Sequence, residues 1–152
     1  YDASNDASFD VVGNTDGTTI YYEHETGTDQ VTPGSTTTLT SSILSGDFDI
    51  TQDQREGITF KGDGEFIMRI SRIVPDFISQ TGNTVVELDV RNYPNDSAVS
   101  STLGPFTISS TTDKIDTRAR GRAIALKISN SAASESWKLG TFRLDVHPDG
   151  RR

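Results

Sequence analysis

The sequence predicts an all-β fold, namely an antiparallel β-sandwich built from two sheets. Hydrophobic residues make up only 32% of the 152 residues, and they occur in short clusters separated by Ser, Thr, Asp, Asn and Gly. Within these clusters apolar and polar residues alternate, as expected of strands that bury one face. Turn signals recur about every 8–15 residues, which suits a two-sheet sandwich. No segment of useful length carries the 3.6-residue period of a helix.

The chain is acidic, and its charges are unevenly distributed. It has 22 Asp and Glu against 14 Lys and Arg, a net charge of −8, and its first 54 residues contain no Lys or Arg. This balance argues against wrapping nucleic acid, which needs a cationic footprint. The absence of cysteine excludes disulfides, zinc–thiolate sites and a cysteine nucleophile. Since no apolar run has the length of a transmembrane helix, we expect no membrane insertion.

The chain divides into two predicted parts, residues 1–35 and residues 36–152. We expect the first part to be a linker or the last strand of a preceding domain, because residues 1–17 are polar and rich in turn residues. Residues 18–25, TTIYYEHE, are rich in β-branched and aromatic residues and predict a strand. The chain begins with Tyr1 rather than Met, and we expect it to be a fragment of a longer protein.

Residues 36–110 predict the central strands of the sandwich. A strand at residues 65–74 is expected to end at Pro75, which has no N–H for the ladder. Residues 84–93 show the clearest alternation, and residues 105–110 predict a short strand after a polar loop. The residues of this region predicted to face the core are Leu39, Ile43, Phe48, Ile50, Phe66, Met68, Ile70, Val86, Leu88, Val90, Phe106 and Ile108.

Two short segments invite a metal-site interpretation, and neither sustains it. In the Glu-His-Glu triplet at residues 23–25, the glutamates of a strand would point away from the histidine. The Asp-Gly-Glu triplet at residues 63–65, with Asp47 and Asp49, offers oxygen ligands for Ca²⁺, but it lacks EF-hand spacing and Asp-Gly is a common hairpin turn. No nucleophile elbow or phosphate-binding loop is present. We expect no cofactor, no metal and no enzymatic activity.

The C-terminal segment, residues 114–152, carries the most informative pattern. It predicts two long strands, and its TRARGR run alternates Arg118, Arg120 and Arg122 with small residues. Three guanidinium groups would therefore leave one face of an extended chain, about 7 Å apart.

The aliphatic residues that follow the arginines create a conflict of faces. Ile124, Leu126 and Ile128 have the same parity as the arginines. In one flat strand, charged and core residues would share a face. We therefore expect either that the strand leaves the core at its arginine end, or that a bulge near Gly121 switches the faces.

The last predicted strand, WKLGTFRLDV at residues 137–146, also changes parity, and a bulge at Gly140 would place both halves in the core. The predicted C-terminal core comprises Ile124, Leu126, Ile128, Trp137, Phe142 and Leu144. The predicted interface residues are Arg118, Arg120, Arg122, Arg143, Arg151 and Arg152.

The arginine row has three interpretations. The arginines could form ion pairs with carboxylates of a neighbouring subunit. They could equally be a solvated face paired within the domain to acids such as Glu87 or Asp89, which would contribute little stability. Contact with DNA phosphates is the third, and the net charge of −8 disfavours it.

Several motifs together resemble one family. The TRARGR run, the Trp-Lys-Leu-Gly segment and the terminal RLDVHPDGRR are similar to the C-terminus of tail nozzle (tail-tubular or stabilisation-type) proteins of podovirus-like bacteriophages. Upstream, YYEHE, SGDFDI, GDGEFIMRISRIVPDF, RNYP and GPFTI resemble segments in a similar order, so the resemblance covers roughly residues 20–152. Each motif is weak singly, and the combination is specific.

The resemblance implies a larger protein built around a β-propeller, with residues around 21–25 as its last strand. Copies would form a ring, a hexamer in the family pattern, that closes the DNA channel and attaches the needle, fibre or adaptor proteins of the tail. DNA would be only passing cargo. This chain departs from the pattern in lacking the propeller body.

We therefore expect a non-enzymatic virion structural protein located in a phage tail. The alternative is a carbohydrate-binding or adhesin-type sandwich, with Tyr22, Tyr93 and Trp137 as its candidate aromatic platform.

Overall fold

A computed structural model describes the backbone of residues 9–13, 19–23, 27–32, 35–53, 57–59, 64–93 and 96–150. These residues form antiparallel strands and no helix, which confirms the all-β prediction. The strands are β1 (Phe9–Gly13), β2 (Thr19–Glu23), β3 (Asp29–Thr32), β4 (Ser35–Thr38), β5 (Ser41–Leu44), β6 (Thr51–Asp53), β7 (Gly57–Thr59), β8 (Met68–Val74), β9 (Phe77–Thr81), β10 (Thr84–Arg91), β11 (Ser101–Ile108), β12 (Ile115–Gly121), β13 (Ala123–Asn130), β14 (Ser136–Leu139) and β15 (Arg143–Pro148). In this part of the chain no helix is long and apolar enough to cross a membrane.

Two sheets make up the sandwich. The larger has the strand order β11-β10-β13-β5, and the smaller has the order β12-β8-β15. Strands β14 and β9 form a separate antiparallel pair, and hairpins join β1 to β2, β3 to β4 and β6 to β7. Buried side chains from both main sheets belong to one hydrophobic cluster, so the sheets pack face to face.

The core comes from alternate residues of the central strands. In β10, the residues from Thr84 to Val90 alternate regularly between buried and half-buried. The buried hydrophobic cluster contains Ile50, Phe66, Met68, Ile70, Ile73, Val86, Leu88, Val90, Ile108, Ala119, Ile124 and Ile128. Leu126, Trp137, Phe142 and Leu144 are partly buried and pack against it. Phe106 is half-buried, opposite Val86 on the edge strand β11.

Two residues predicted to face the core are largely exposed. Leu39 keeps 50% of its surface exposed and Ile43 keeps 46%. The reason is topological. Ile43 lies in β5, which is an edge strand of the larger sheet and pairs only with β13 among the described strands, whereas Leu39 precedes that strand. Phe48 and Ile50, further along the same segment, do pack in or against the core.

Strand β8 contains an irregularity that simple alternation does not anticipate. The ladders to both neighbouring strands shift register around Ser71, so Ile70 and Ile73 face the core together. This is the behaviour of a β-bulge, which changes the parity of the residues beyond it. Met68 and Ile70 lie inward and Arg69 lies outward, in the predicted arrangement.

Strand β11 is longer than predicted. It begins at Ser101 instead of residue 105, so part of the expected loop is strand. Pro105 is compatible with it because β11 is an edge strand, and the ladder to β10 shifts register between Val86 and Leu88. The β3–β4 hairpin spans residues 29–38, and the Asp29 carboxylate accepts hydrogen bonds at 2.9 Å from the Ser134 amide.

The burial pattern predicts different losses of stability when Ile73 of β8 and Ile78 of β9 are truncated. Ile73 is fully buried, and Ile78 is 65% exposed. Replacing Ile73 with Ala should lower the free energy of unfolding by about 2–5 kcal/mol, because the core cannot refill the space. The matched change Ile78→Ala should alter it by about 0.5 kcal/mol or less. Urea unfolding measures both, and equal losses would contradict the described packing.

Candidate functional site: a cationic sheet face

The arginine-rich strand does not continue straight into the aliphatic strand that follows it. Strand β12 pairs with β8 in the smaller sheet, while β13 pairs with β10 and β5 in the larger one. The chain passes between the sheets at Arg122, whose amide donates to the Arg91 carbonyl at 2.9 Å. The expected switch of faces therefore exists, and its cause is a change of sheet instead of a bulge within one strand.

Gly121 allows this close passage. A Cβ at this position would lie 2.4 Å from Val90 Cγ1 and 3.0 Å from the Arg91 carbonyl oxygen. Real Cβ atoms do not come so close to other atoms, so a side chain here would force the sheets apart. Ala119, two residues earlier, is also fully buried.

The change of sheet leaves the arginines on the outer face of the smaller sheet. Asp116, Arg118 and Arg120 alternate outward, and Ala119 and Gly121 lie inward. The strand register places Arg120 directly opposite Arg69 of β8, and Arg69 directly opposite His147 of β15. A row of three basic side chains therefore crosses the sheet. Like charges directly opposite each other on a sheet are destabilising, but the Asp149 carboxylate pairs with Arg120 and offsets its charge opposite Arg69.

The adjacent row on the same face is neutralised. Arg72 lies between Asp116 and Asp145, with Nε 3.0 Å from Asp116 Oδ1 and Nη1 3.6 Å from Asp145 Oδ2. The hydrogen bond from Arg72 lowers the pKa of the Asp116 carboxyl and raises the pKa of Arg72. Lys114 adds a contact of 3.4 Å to Asp116. The described residues therefore include carboxylate partners for Arg72 but none for Arg69.

We call Arg69, Arg118, Arg120 and His147 the cationic face. Within the described part of the chain, neither Arg69 nor Arg118 forms an ion pair or a side-chain hydrogen bond. Arg120 is paired through Nε to the Asp149 carboxylate. The cationic face therefore carries two unpaired guanidinium groups on a chain whose net charge is −8.

The other predicted interface arginines have different environments. Arg122 is half-buried, and its Nη1 donates to the carbonyls of Gly64 at 2.8 Å and Glu65 at 3.0 Å. Arg143 is exposed, 4.0 Å from an oxygen of Asp76. Arg151 and Arg152 lie outside the described residues.

Glu87 and Asp89, the acids given as examples of partners within the domain, do not pair with the arginine row, although Arg120 does pair within the domain, with Asp149. Both acids lie on the outer face of the larger sheet, where Glu87 accepts from Lys127 at 2.8 Å and Asp89 accepts from Thr102 at 2.7 Å. The Glu87 contact raises the pKa of Lys127. The strand crossing at Arg122 separates these acids from the arginine row.

The candidate calcium ligands are used elsewhere. Asp49 is buried and accepts a hydrogen bond from the Gly64 amide, and Asp47 forms an ion pair with Arg91. Residues 24 and 63 lie outside the described residues. Among the described residues, no three His, Asp or Glu side chains are grouped so as to hold a metal ion.

Sequence reasoning missed Arg69 and His147 as members of the site. Their outward orientation could be predicted from alternation, but their alignment with Arg120 depends on the strand order β12-β8-β15. That order brings together residues 51 and 27 positions from Arg120 in the chain. No local pattern in the sequence signals it.

No protein-family model matches this chain, and no curated protein is similar to it in sequence.

The close passage at Gly121 predicts a specific loss of stability. Gly121→Ala should lower the free energy of unfolding by about 1–3 kcal/mol, because the added methyl group would overlap Val90. Gly46→Ala is the matched control, since no atom lies within 4 Å of a Cβ at Gly46. Thermal and urea unfolding compare the two. If Gly121→Ala did not lower the free energy of unfolding, the two sheets would not approach each other at Gly121 as described.

The two arginines of β8 should respond in opposite ways to loss of charge. Arg69→Gln should leave the protein equally or more stable, because Arg69 has no ion-pair partner among the described residues to lose. Arg72→Gln should destabilise it, because two carboxylates lose their partner. The difference in unfolding free energy between the two variants should shrink as salt is added. Urea unfolding at low and high salt measures it, and a larger loss from Arg69→Gln would contradict the assignment.

Proposed function

We propose that this chain is a non-enzymatic virion structural protein, part of a tail nozzle or hub of a short-tailed bacteriophage, and that it works through assembly contacts. The observation that carries the proposal is the cationic face. Unpaired arginines on a flat sheet surface are suited to bind carboxylates of a partner, since the guanidinium fork matches a carboxylate in two parallel hydrogen bonds.

The charge distribution along the chain supports another copy of the same chain as the partner. Residues 1–54 contain ten Asp and Glu and no Lys or Arg, whereas the cationic face lies between residues 69 and 147. A contact between this acidic segment of one copy and the cationic face of the next would be heterologous, because it joins two different parts of the chain. Heterologous contacts generate closed rings when the rotation between copies closes.

Arg69, which has no ion-pair or hydrogen-bond partner among the described residues, supports a role in binding rather than in folding. A sheet face that served only the fold would lose nothing by replacing Arg69, because its charge has no partner within the described residues. A carboxylate from another molecule would pair with Arg69 and form charge-assisted hydrogen bonds. The free protein would thus be less stable than the assembled one.

The sequence resemblance supports the particular assembly. Its motifs include TRARGR, whose arginines supply part of the cationic face, and RLDVHPDGRR, which includes His147. On this basis the proposed partners are further copies of the chain in a ring and the adaptor, needle or fibre proteins of the tail. The proposed location is the virion, with DNA as passing cargo.

A matched pair of charge reversals tests the proposal. Arg69→Glu should abolish ring formation by the protein, because it replaces an unpaired arginine at the centre of the cationic face. Lys138→Glu changes the net charge by the same amount at an exposed position of β14 and should leave assembly intact. Mass photometry and negative-stain electron microscopy at low salt measure the oligomers.

The wild-type protein is expected to form ring-shaped oligomers that dissociate as salt is raised. If the protein stayed monomeric at every protein and salt concentration, that result would overturn the proposed ring. Equal loss of assembly in both variants would overturn the assignment to the cationic face. Tight, salt-dependent binding of duplex DNA that is lost in Arg69→Glu would replace the protein partner by nucleic acid.

A further inference from the structure

A second feature at the arginine end of the sandwich is a groove beside the cationic face. Its volume is about 320 Å³, and it is lined by Ile67, Asn92, Tyr93, Arg120 and Arg122. Small-molecule sites in proteins begin at about this size. The cationic face is a flat sheet surface, whereas this groove is concave, so a different kind of ligand suits it.

Arg122 supplies an oriented positive charge to the groove. Two backbone carbonyls, of Gly64 and Glu65, accept hydrogen bonds from its Nη1 and hold the guanidinium in place. Its Nε and Nη2 have no partner among the described residues. Carbonyls orient an arginine without neutralising it, so its remaining donors are preorganised for an anion.

The charge of the groove matches an anion with a single charge. Arg120 also lines the groove, but the Asp149 carboxylate already neutralises it. Among the described residues that line the groove, Arg122 is the one cation left without a carboxylate partner. A phosphate monoester carries about −1.5 to −2 at neutral pH and would need a second cation, whereas a carboxylate carries one charge.

Tyr93 and Asn92 supply the remaining recognition groups. Tyr93 is 66% exposed, although aromatic rings usually bury most of their surface. Neither side chain forms a hydrogen bond with another described residue. An exposed ring offers an apolar face to the C–H groups of a sugar, and an amide offers a donor and an acceptor to neighbouring hydroxyl groups.

We propose that this groove binds a carboxylate-bearing sugar, with the carboxylate on Arg122, the sugar ring on Tyr93 and its hydroxyl groups on Asn92. The site does not depend on the proposed assembly, because it uses different donors from those of Arg69 and Arg118. Trp137 takes no part in it. The Trp137 ring is half-buried and packs edge-on against Phe77, with 6.3 Å between the ring centroids. Its Nε1 donates a hydrogen bond to the Ser41 hydroxyl.

The test is a titration of the protein with pairs of sugars that differ in the carboxylate. The probes are D-glucuronic acid against D-glucose, D-galacturonic acid against D-galactose, and N-acetylneuraminic acid. At least one acidic sugar should bind with a dissociation constant on the order of millimolar, and its neutral counterpart at least about tenfold more weakly. Amide chemical-shift changes in NMR should centre on residues 92, 93 and 122.

Variants separate the groove from its surroundings. Tyr93→Ala, at an exposed position, and Arg122→Lys, which keeps the charge and loses the fork, should each weaken binding at least about fivefold. Arg143→Lys, at an exposed position of β15 outside both the groove and the cationic face, should bind as the wild type does. Thermal unfolding checks that each variant is folded. If Arg122→Lys does not fold, Tyr93→Ala alone tests the proposal.

Three results would overturn the proposal. The first is the absence of saturable binding by every acidic sugar at millimolar concentration. The second is equal binding of acidic and neutral sugars, which would remove the role of Arg122. The third is unchanged affinity in folded Tyr93→Ala.

Discussion

The constraint on which the rest of the structure depends is the crossing of the chain from one sheet to the other at Gly121 and Arg122. Strands β12 and β13 are adjacent in sequence, but they belong to opposite layers of the sandwich. The crossing needs a residue without a side chain, because Val90 and the Arg91 carbonyl fill the space beside Gly121. It fixes which layer each arginine and each aliphatic residue occupies, and thereby resolves the conflict of faces in the sequence.

Two electrostatic features follow from that crossing. The outer face of the smaller sheet collects Arg69, Arg120 and His147 in a row, next to a second row that Asp116 and Asp145 neutralise around Arg72. At the crossing itself, Arg122 turns to backbone carbonyls and lines a groove with Tyr93. The crossing therefore produces both the cationic face and the groove. In the groove, the Arg122 guanidinium has no carboxylate partner among the described residues.

The sequence predicted the fold class and much of the core because both depend on local alternation. Val86, Leu88 and Val90 alternate without interruption and are buried as expected. Alternation failed where a bulge or an edge intervened. Ser71 shifts the parity of β8 and buries Ile73, and the edge position of β5 leaves Ile43 exposed. The site was harder to predict, because the alignment of Arg69 with Arg120 is a product of strand order, and pairing between distant strands leaves no local signal.

The most direct test of the crossing is a set of cross-strand proton contacts measured by NMR. The account predicts contacts between Arg120 and Arg69 and between Ala119 and Ile70, together with contacts between Ile124 and Val90. These would place the two halves of the segment in different sheets. Contacts from residues 118–121 to the stretch following Arg91, in place of those to β8, would show one continuous strand and contradict the account.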